Sequence, residues 1–163
     1  MKAFKLLVIS IIVLFLVMTL ISALIPSTVR ISRAIDINAS PERIHAELAD
    51  LNKWTAWNAF IQNMDEKKLY RDSILGGTLA VRKTRSTPDE VVTTWNEVKK
   101  DRSFTAGFNL IPHGSTVTLQ WYFDFHFKWY PWEKFSSIVY DGQVGAPMQE
   151  SLNKLKTITE QVQ

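Results

Sequence analysis

The sequence has no cysteine among its 163 residues. That excludes a disulfide framework, a thiolate metal site and a cysteine nucleophile. Histidine is scarce as well: His45, His113 and His126 stand on a predicted helix, in a turn and on an outward strand face. No pair of them has the spacing of metal ligands, so no metal centre is expected. Charge of one sign is also missing. With Lys2 and Lys5 set aside, 17 basic residues stand against 16 acidic ones from Thr28 onward, a balance that argues against a nucleic-acid surface. No phosphate-cradling loop, activated nucleophile or carboxylate pair occurs at a recognisable spacing, so neither a catalytic constellation nor a cofactor is expected. Beyond Pro26 there is no internal repeat and no second linker, and the length suits one domain.

One long stretch lacks charge altogether. Leu6 to Ile25, LLVISIIVLFLVMTLISALI, is broken only by Ser10, Thr19 and Ser22. As a helix rising ~1.5 Å per residue it spans roughly 30 Å, the thickness of a bilayer's hydrocarbon core. Pro26 then ends the helix. A cleavable signal peptide is the competing reading, with Lys2 and Lys5 as its basic end, but its apolar region would be shorter and no A-x-A site comes after this one. The expected division is a membrane anchor over residues 1–27 and one domain over 28–163. Arg30, Arg33 and Arg43 lie close behind the span, so positive charge alone does not orient it. The short basic tail favours a cytoplasmic N-terminus with the domain on the other side.

The chain beyond Pro26 is patterned. TVRISRAIDIN alternates Val29, Ile31, Arg33, Ile35 and Ile37 against polar neighbours and predicts a strand. In ASPERIHAELADL, Ser40 is the expected N-cap and Pro41 the first helical residue, with Ile44, Leu48 and Leu51 on one face. NKWTAWNAF predicts a second short helix presenting Trp54 and Trp57. From Lys67 to Phe127 the pattern is a meander of strands, with turns at Gly76–Gly77, Pro88–Asp89 and Pro112–Gly114. Its last member, VTLQWYFDFHF, sets Val117, Leu119, Trp121, Phe123, Phe125 and Phe127 on one face and Thr118, Gln120, Tyr122, Asp124 and His126 on the other. Then PMQESLNKLKTITEQVQ predicts a helix with Pro147 in its first turn and a stripe of Met148, Leu152, Leu155, Ile158 and Val162. The order predicts an α+β fold with one sheet face covered by helix.

IDINASPERIHAELADLNKWTAWNAF, STVTLQW and SLNKLKTITE, in that order, resemble the polyketide cyclase/START-like (SRPBCC) superfamily, in its small bacterial members with an N-terminal membrane helix. The resemblance covers about Thr28 to Gln163. It implies a helix-grip fold, a bent antiparallel sheet wrapped around a long C-terminal helix with a cavity between them. It also implies a hydrophobic small molecule or lipid as partner and a bacterial inner membrane as location, held through residues 6–25. The family has no shared catalytic set to carry over.

Two readings of the inner sheet face stand side by side. Six large side chains on one strand are worth on the order of 9–18 kcal/mol when fully buried, so they must be hidden from water. Either the aromatic residues fill the interior themselves, or some of them line a chamber. On the second reading the cavity residues are Trp57, Trp95, Phe108, Trp121, Phe123, Phe125, Leu152 and Leu155. Glu97 shares the parity of Thr93 and Trp95 and is the one weak candidate for an acid or base, against its ordinary reading as a rim residue in water. Asp124 and His126 read as a solvated face. RKTR (Arg82 to Arg85) and KKDR (Lys99 to Arg102) read as solvated turns, or as contacts to anionic headgroups if they face a bilayer. KWYPWEKF admits a lid, an interfacial anchor or packing at the sheet's end, with packing and a partial lid role preferred; Trp132, Phe135 and Ile138 fall on one helical turn series. The leading function is binding of a hydrophobic molecule in a tethered domain. A cyclase or dehydratase using Glu97 and a filled protein-interaction module are the alternatives.

Overall fold

The computed structural model describes residues 2–24, 26–98, 102–127 and 130–161, with side chains from residue 4 onward except 135–139. Lys99, Lys100, Trp129 and Val162, and the side chains of Phe135 and Ile138, are therefore outside the described residues. The apolar segment forms α1 (Lys2–Leu24). It is the one helix among the described residues that is long and apolar enough to cross a membrane. Three residues later the chain enters β1 (Thr28–Ile37).

Next come α2 (Pro41–Ala49), a 3-10 turn (Leu51–Lys53), α3 (Trp54–Trp57) and α4 (Ala59–Gln62). Ser40 caps α2 by accepting from the Arg43 amide, and Pro41 occupies the first turn, where its missing amide leaves no bond unmade. Asn58 does the same for α4: its Oδ1 accepts from the amides of Phe60 at 3.1 Å and Ile61 at 3.3 Å. The helix predicted over NKWTAWNAF is thus split at Asn58, whose extended backbone ends α3 and starts α4.

The strands β2 (Lys68–Leu69), β3 (Ser73–Leu75), β4 (Leu79–Thr87), β5 (Glu90–Glu97), β6 (Arg102–His113) and β7 (Thr116–His126) join β1 in one antiparallel sheet, ordered β1-β7-β6-β5-β4-β3-β2. The last strand of the meander therefore pairs with the first, from Thr28↔His126 to Ile37↔Val117. A register shift between Lys83 and Arg85 breaks the β4–β5 ladder, a feature that bends and twists a strand locally. α2 and α5 (Pro131–Glu160) pack on the inner face, which is the expected helix grip: an antiparallel sheet closed by a long C-terminal helix.

α5 corrects one expectation. It begins at Pro131 rather than at Pro147, which lies inside it. Gly142, Gly145 and Pro147 look like helix breakers in sequence, but proline's fixed φ is helical and its cost is one absent amide bond plus local crowding. Nearby, the Ser151 hydroxyl donates to the Pro147 carbonyl at 2.7 Å. Met148, Ser151, Leu152 and Leu155 in the second half are fully buried, whereas Tyr140 and Val144 in the first half are only partly so.

The five inward residues of β7 and Phe127 just past its end are all buried, from 0% exposure at Leu119 and Trp121 to 7% at Phe125 and Phe127. The outer face holds one exception to the predicted alternation of wet and dry. Tyr122 is 7% exposed although it points outward. Its ring lies over Gly107, the Arg30 guanidinium sits 4.2 Å from the ring centroid, and its hydroxyl donates to Glu90 at 3.3 Å. Burial first, and the Glu90 carboxylate second, raise the Tyr122 phenol above its ordinary value near 10, with Arg30 pulling the other way. The folded chain thus holds this proton more tightly than the unfolded one. The associated stability is present below the unfolded pKa and is lost as pH rises through the higher folded one. Y122F is expected to flatten that alkaline loss in unfolding measurements across pH; an unchanged alkaline slope would rule Tyr122 out as its source.

Candidate functional site

The inner face gathers aromatic rings from several elements into one contiguous array. At its deep end Phe108 and Trp121 stack at 4.9 Å, and Trp57 meets both edge-on at 5.9 and 6.2 Å. Trp54 packs against Trp57 at 5.3 Å and against Trp95 at 6.2 Å. Phe60 of α4 reaches Trp95, Trp121 and Phe123 with its edge at 5.7 to 5.9 Å. Toward the other end Phe104 lies 5.0 Å from Phe125, and Tyr140 of α5 meets Phe125 at 5.1 Å and Phe127 at 5.3 Å. These separations are those of favourable offset and edge-to-face pairs.

All eight residues expected to line a cavity are brought together here. Trp57, Trp95, Phe108, Trp121, Phe123, Phe125, Leu152 and Leu155 belong to one buried cluster. Burial is graded across the array. Phe60, Leu79, Phe104, Tyr140 and Val144 pack against the cluster but are only partly covered, as are Val29, Ile35, Ala39 and Ile158 elsewhere around it, so the edge shared by β4, β6, α4 and the first half of α5 is the partly covered one that carries aromatic rings. Sequence reasoning did not assign Phe60 or Tyr140 to the site. Phe60 sits in a four-residue helix too short to show a period, and Tyr140 in a segment whose glycines masked the helix.

The polar groups around the array are few. Trp54 Nε1 donates to the Leu48 carbonyl at 3.0 Å and Trp95 Nε1 to Thr93 Oγ1 at 2.9 Å. Trp57 Nε1, Trp121 Nε1 and Asn58 Nδ2 are buried and have no acceptor among the described residues. Such groups are rare in native interiors. Glu97 ends β5 opposite Leu79 and Arg102, partly covered and with its Oε2 buried, and is not the fully wetted rim residue of its ordinary reading. Arg33, the one charged residue in β1's inward series, passes beside Gly145 of α5 and pairs with Asp141 at 2.9 Å. A side chain at position 145 would collide with its guanidinium.

The remaining candidates lie elsewhere. Asp124 is held by a two-pronged Arg30 pair at 2.7 and 2.6 Å, while His126 is exposed. His45 Nε2 is 3.0 Å from Ser86 Oγ. That pair lines a surface cleft of about 490 Å³ with Pro41, Glu42, Asp89 and Pro112, remote in the fold from the aromatic array. Among the described residues no three His, Asp or Glu side chains converge as metal ligands would. Trp132 does not pack at the sheet's end: it is 63% exposed and stacks on Tyr130 at 4.9 Å with the rings 5° apart, because the first turn of α5 projects it away from the interior.

A sheet gripping a helix over an apolar interior is matched by comparison with known proteins. The model of the family described as polyketide cyclase / dehydrase and lipid transport matches residues 28–160. The chain belongs to that family. Membership in the polyketide cyclase / dehydrase and lipid transport family supports the coarse reading of a hydrophobic-ligand-binding or cyclase-like domain. A search of curated proteins gives no significant match. Solved structures share the fold at low identity. A protein from Rhodobacter sphaeroides has a TM-score of 0.60 at 16% identity, covering 82% of this chain and 93% of that one. A protein from Mesorhizobium loti has 0.57 at 18%, covering 83% and 98%. A START superfamily protein from Mycobacterium smegmatis has 0.55 at 16%, covering 82% and 99%.

Proposed function

We propose that the domain over residues 28–163 binds a hydrophobic small molecule or lipid between the inner face of its sheet and α5, and that α1, through residues 6–25, holds it in a membrane as a single-pass protein. The observation that carries this reading is the graded burial of the array. The interior is apolar and aromatic, and at the edge shared by β6, α4 and α5 the rings of Phe60, Phe104 and Tyr140 are only partly covered, which leaves aromatic surface there for a guest to lie against. The guest enters there and lies against Phe104, Phe123 and Phe125, with Trp95 beneath. The indole donors of Trp57 and Trp121, which have no acceptor among the described residues, suit a guest that carries an oxygen at its inner end.

The test is native mass spectrometry of the full chain released from detergent micelles, together with tryptophan fluorescence on titration with a fluorescent fatty acid. A bound guest, or energy transfer from tryptophan to the probe, is expected. V144W places an indole at this edge, where Val144 is only partly covered. It is expected to weaken uptake about tenfold or more, the equivalent of ~1.4 kcal/mol, with the unfolding midpoint little changed. Neither guest nor energy transfer in the parent chain would defeat the reading.

A further inference from the structure

The anchor, the partly covered rings of Phe104 and Tyr140 and the most exposed apolar side chains of the domain lie at one end of the sheet. Residues 25–27 alone separate α1 from β1, so the four steps from Leu24 to Thr28 reach at most about 14 Å at ~3.3–3.6 Å per residue. The Ser27 carbonyl accepts from the Phe127 amide at 2.8 Å, which ties the end of β7 to the same point. α1 also touches α5, with Ser22 of its last turn buried. The ladder pairs place the start of β6 and the end of β5 at this end too, through Thr105↔Asp124 and Glu97↔Arg102. Arg102 bridges from there to α5, donating to the Tyr140 hydroxyl at 3.0 Å and lying 3.9 Å from Glu133.

Outside α1, the two most exposed large apolar residues among those described are Val98, at 64%, and Trp132, at 63%. Both stand at this end, Val98 just past β5 and Trp132 in the first turn of α5. Leu75, 46% exposed beside the Gly76–Gly77 turn, joins them. Exposed apolar residues gathered beside a membrane-length helix mark an interaction surface, and stacked tryptophan and tyrosine suit the headgroup level of a bilayer, where one end of the ring is dry and the other wet. Phe104 lies two residues inside Arg102, so the partly covered edge of the array begins directly behind this surface.

We propose that the end of the domain bearing Val98, Tyr130 and Trp132 rests on the bilayer that holds α1, so that the partly covered edge of the array faces lipid and the guest passes between membrane and interior without crossing water. The proposal rests on the anchoring and guest-binding readings above, and its test separates it from them. The absence of native cysteine allows single spin labels in the full chain, using W132C, V98C, D89C in the far turn between β4 and β5, and L14C within α1, reconstituted in phosphatidylethanolamine–phosphatidylglycerol vesicles. All four side chains replaced are exposed, so the fold is expected to survive, as circular dichroism would check. The ratio of collisions with oxygen to collisions with a water-soluble nickel chelate is expected to be several-fold higher at 132 and 98 than at 89, and highest at 14. Labels at 132 and 98 that behave like 89, with 14 still in lipid, would overturn the docking and leave the anchor standing. A watery label at 14 would overturn both. Spin–spin broadening at 132 between labelled copies would assign the face to a second chain and also overturn the docking, whereas guest binding is read separately by the fluorescence titration.

Discussion

Replacing Trp121 with alanine is expected to destabilise the fold by about 3–5 kcal/mol, and replacing it with phenylalanine by far less. Trp121 is 0% exposed in the middle of β7 and touches Phe108, Trp57, Phe60 and Phe123 at 4.9 to 6.2 Å. The sheet lies behind it, with α3 and α4 in front, and hydrogen bonds fix those elements on both sides, so the surroundings cannot collapse into the space an alanine would leave. Phenylalanine keeps most ring contacts and removes an N–H that has no acceptor among the described residues. Relief of a buried, unsatisfied donor, a cost of ~1–3 kcal/mol, then offsets much of the lost ring area. Trp95 supplies the contrast. Its Nε1 donates to Thr93 Oγ1 at 2.9 Å, so Trp95→Phe loses ring area and a satisfied bond together. The expected order of cost in chemical unfolding of the full chain is W121A, then W95F, then W121F. W95F proving milder than W121F would show that the Trp121 indole is satisfied in solution.

Much of this interior was legible because strands and helices write their buried faces at fixed periods. The alternation of β7 marks its five inward residues and Phe127 after them, and the Ser40–Pro41 start of α2 was readable from the capping chemistry of its first turn. The eight expected cavity residues converge for the same reason: each was chosen by parity or helical stripe, and the antiparallel register carries parity from strand to strand. What could not be read lies where contacts cross between elements. Phe60 enters the array because Asn58 turns the chain and starts α4, which is a local hydrogen-bond event with no period. Tyr140 was hidden because glycine and proline weaken a helix without forbidding it, and tertiary packing of the second half of α5 outweighs that weakness. Tyr122 escaped for a third reason. Its outward position predicts water, yet a glycine on the neighbouring strand gives its ring a place to lie, and only the register reveals that Gly107 is opposite.

That last pairing carries the second large effect. Gly107 faces Tyr122 across the β6–β7 ladder, and a Cβ built at position 107 would overlap the phenol oxygen and two ring carbons, the farthest of the three at 2.7 Å. The ring is not free to swing away. Arg30 lies over it, itself held by the two-pronged Asp124 pair, and the hydroxyl is bonded to Glu90. Overpacking of this kind costs about 1–3 kcal/mol, so G107A is expected to fall at the upper end of that range and G107V beyond it. With the ring removed the sign should reverse, since alanine loses less backbone freedom than glycine on entering a strand, by roughly 0.5–1 kcal/mol. In a Y122A background, therefore, G107A is expected to be neutral or stabilising. The double-mutant cycle would then show a coupling of about 2–3 kcal/mol, the size found between residues in direct contact. Equal costs of G107A in the two backgrounds would mean that the ring does not rest on this glycine.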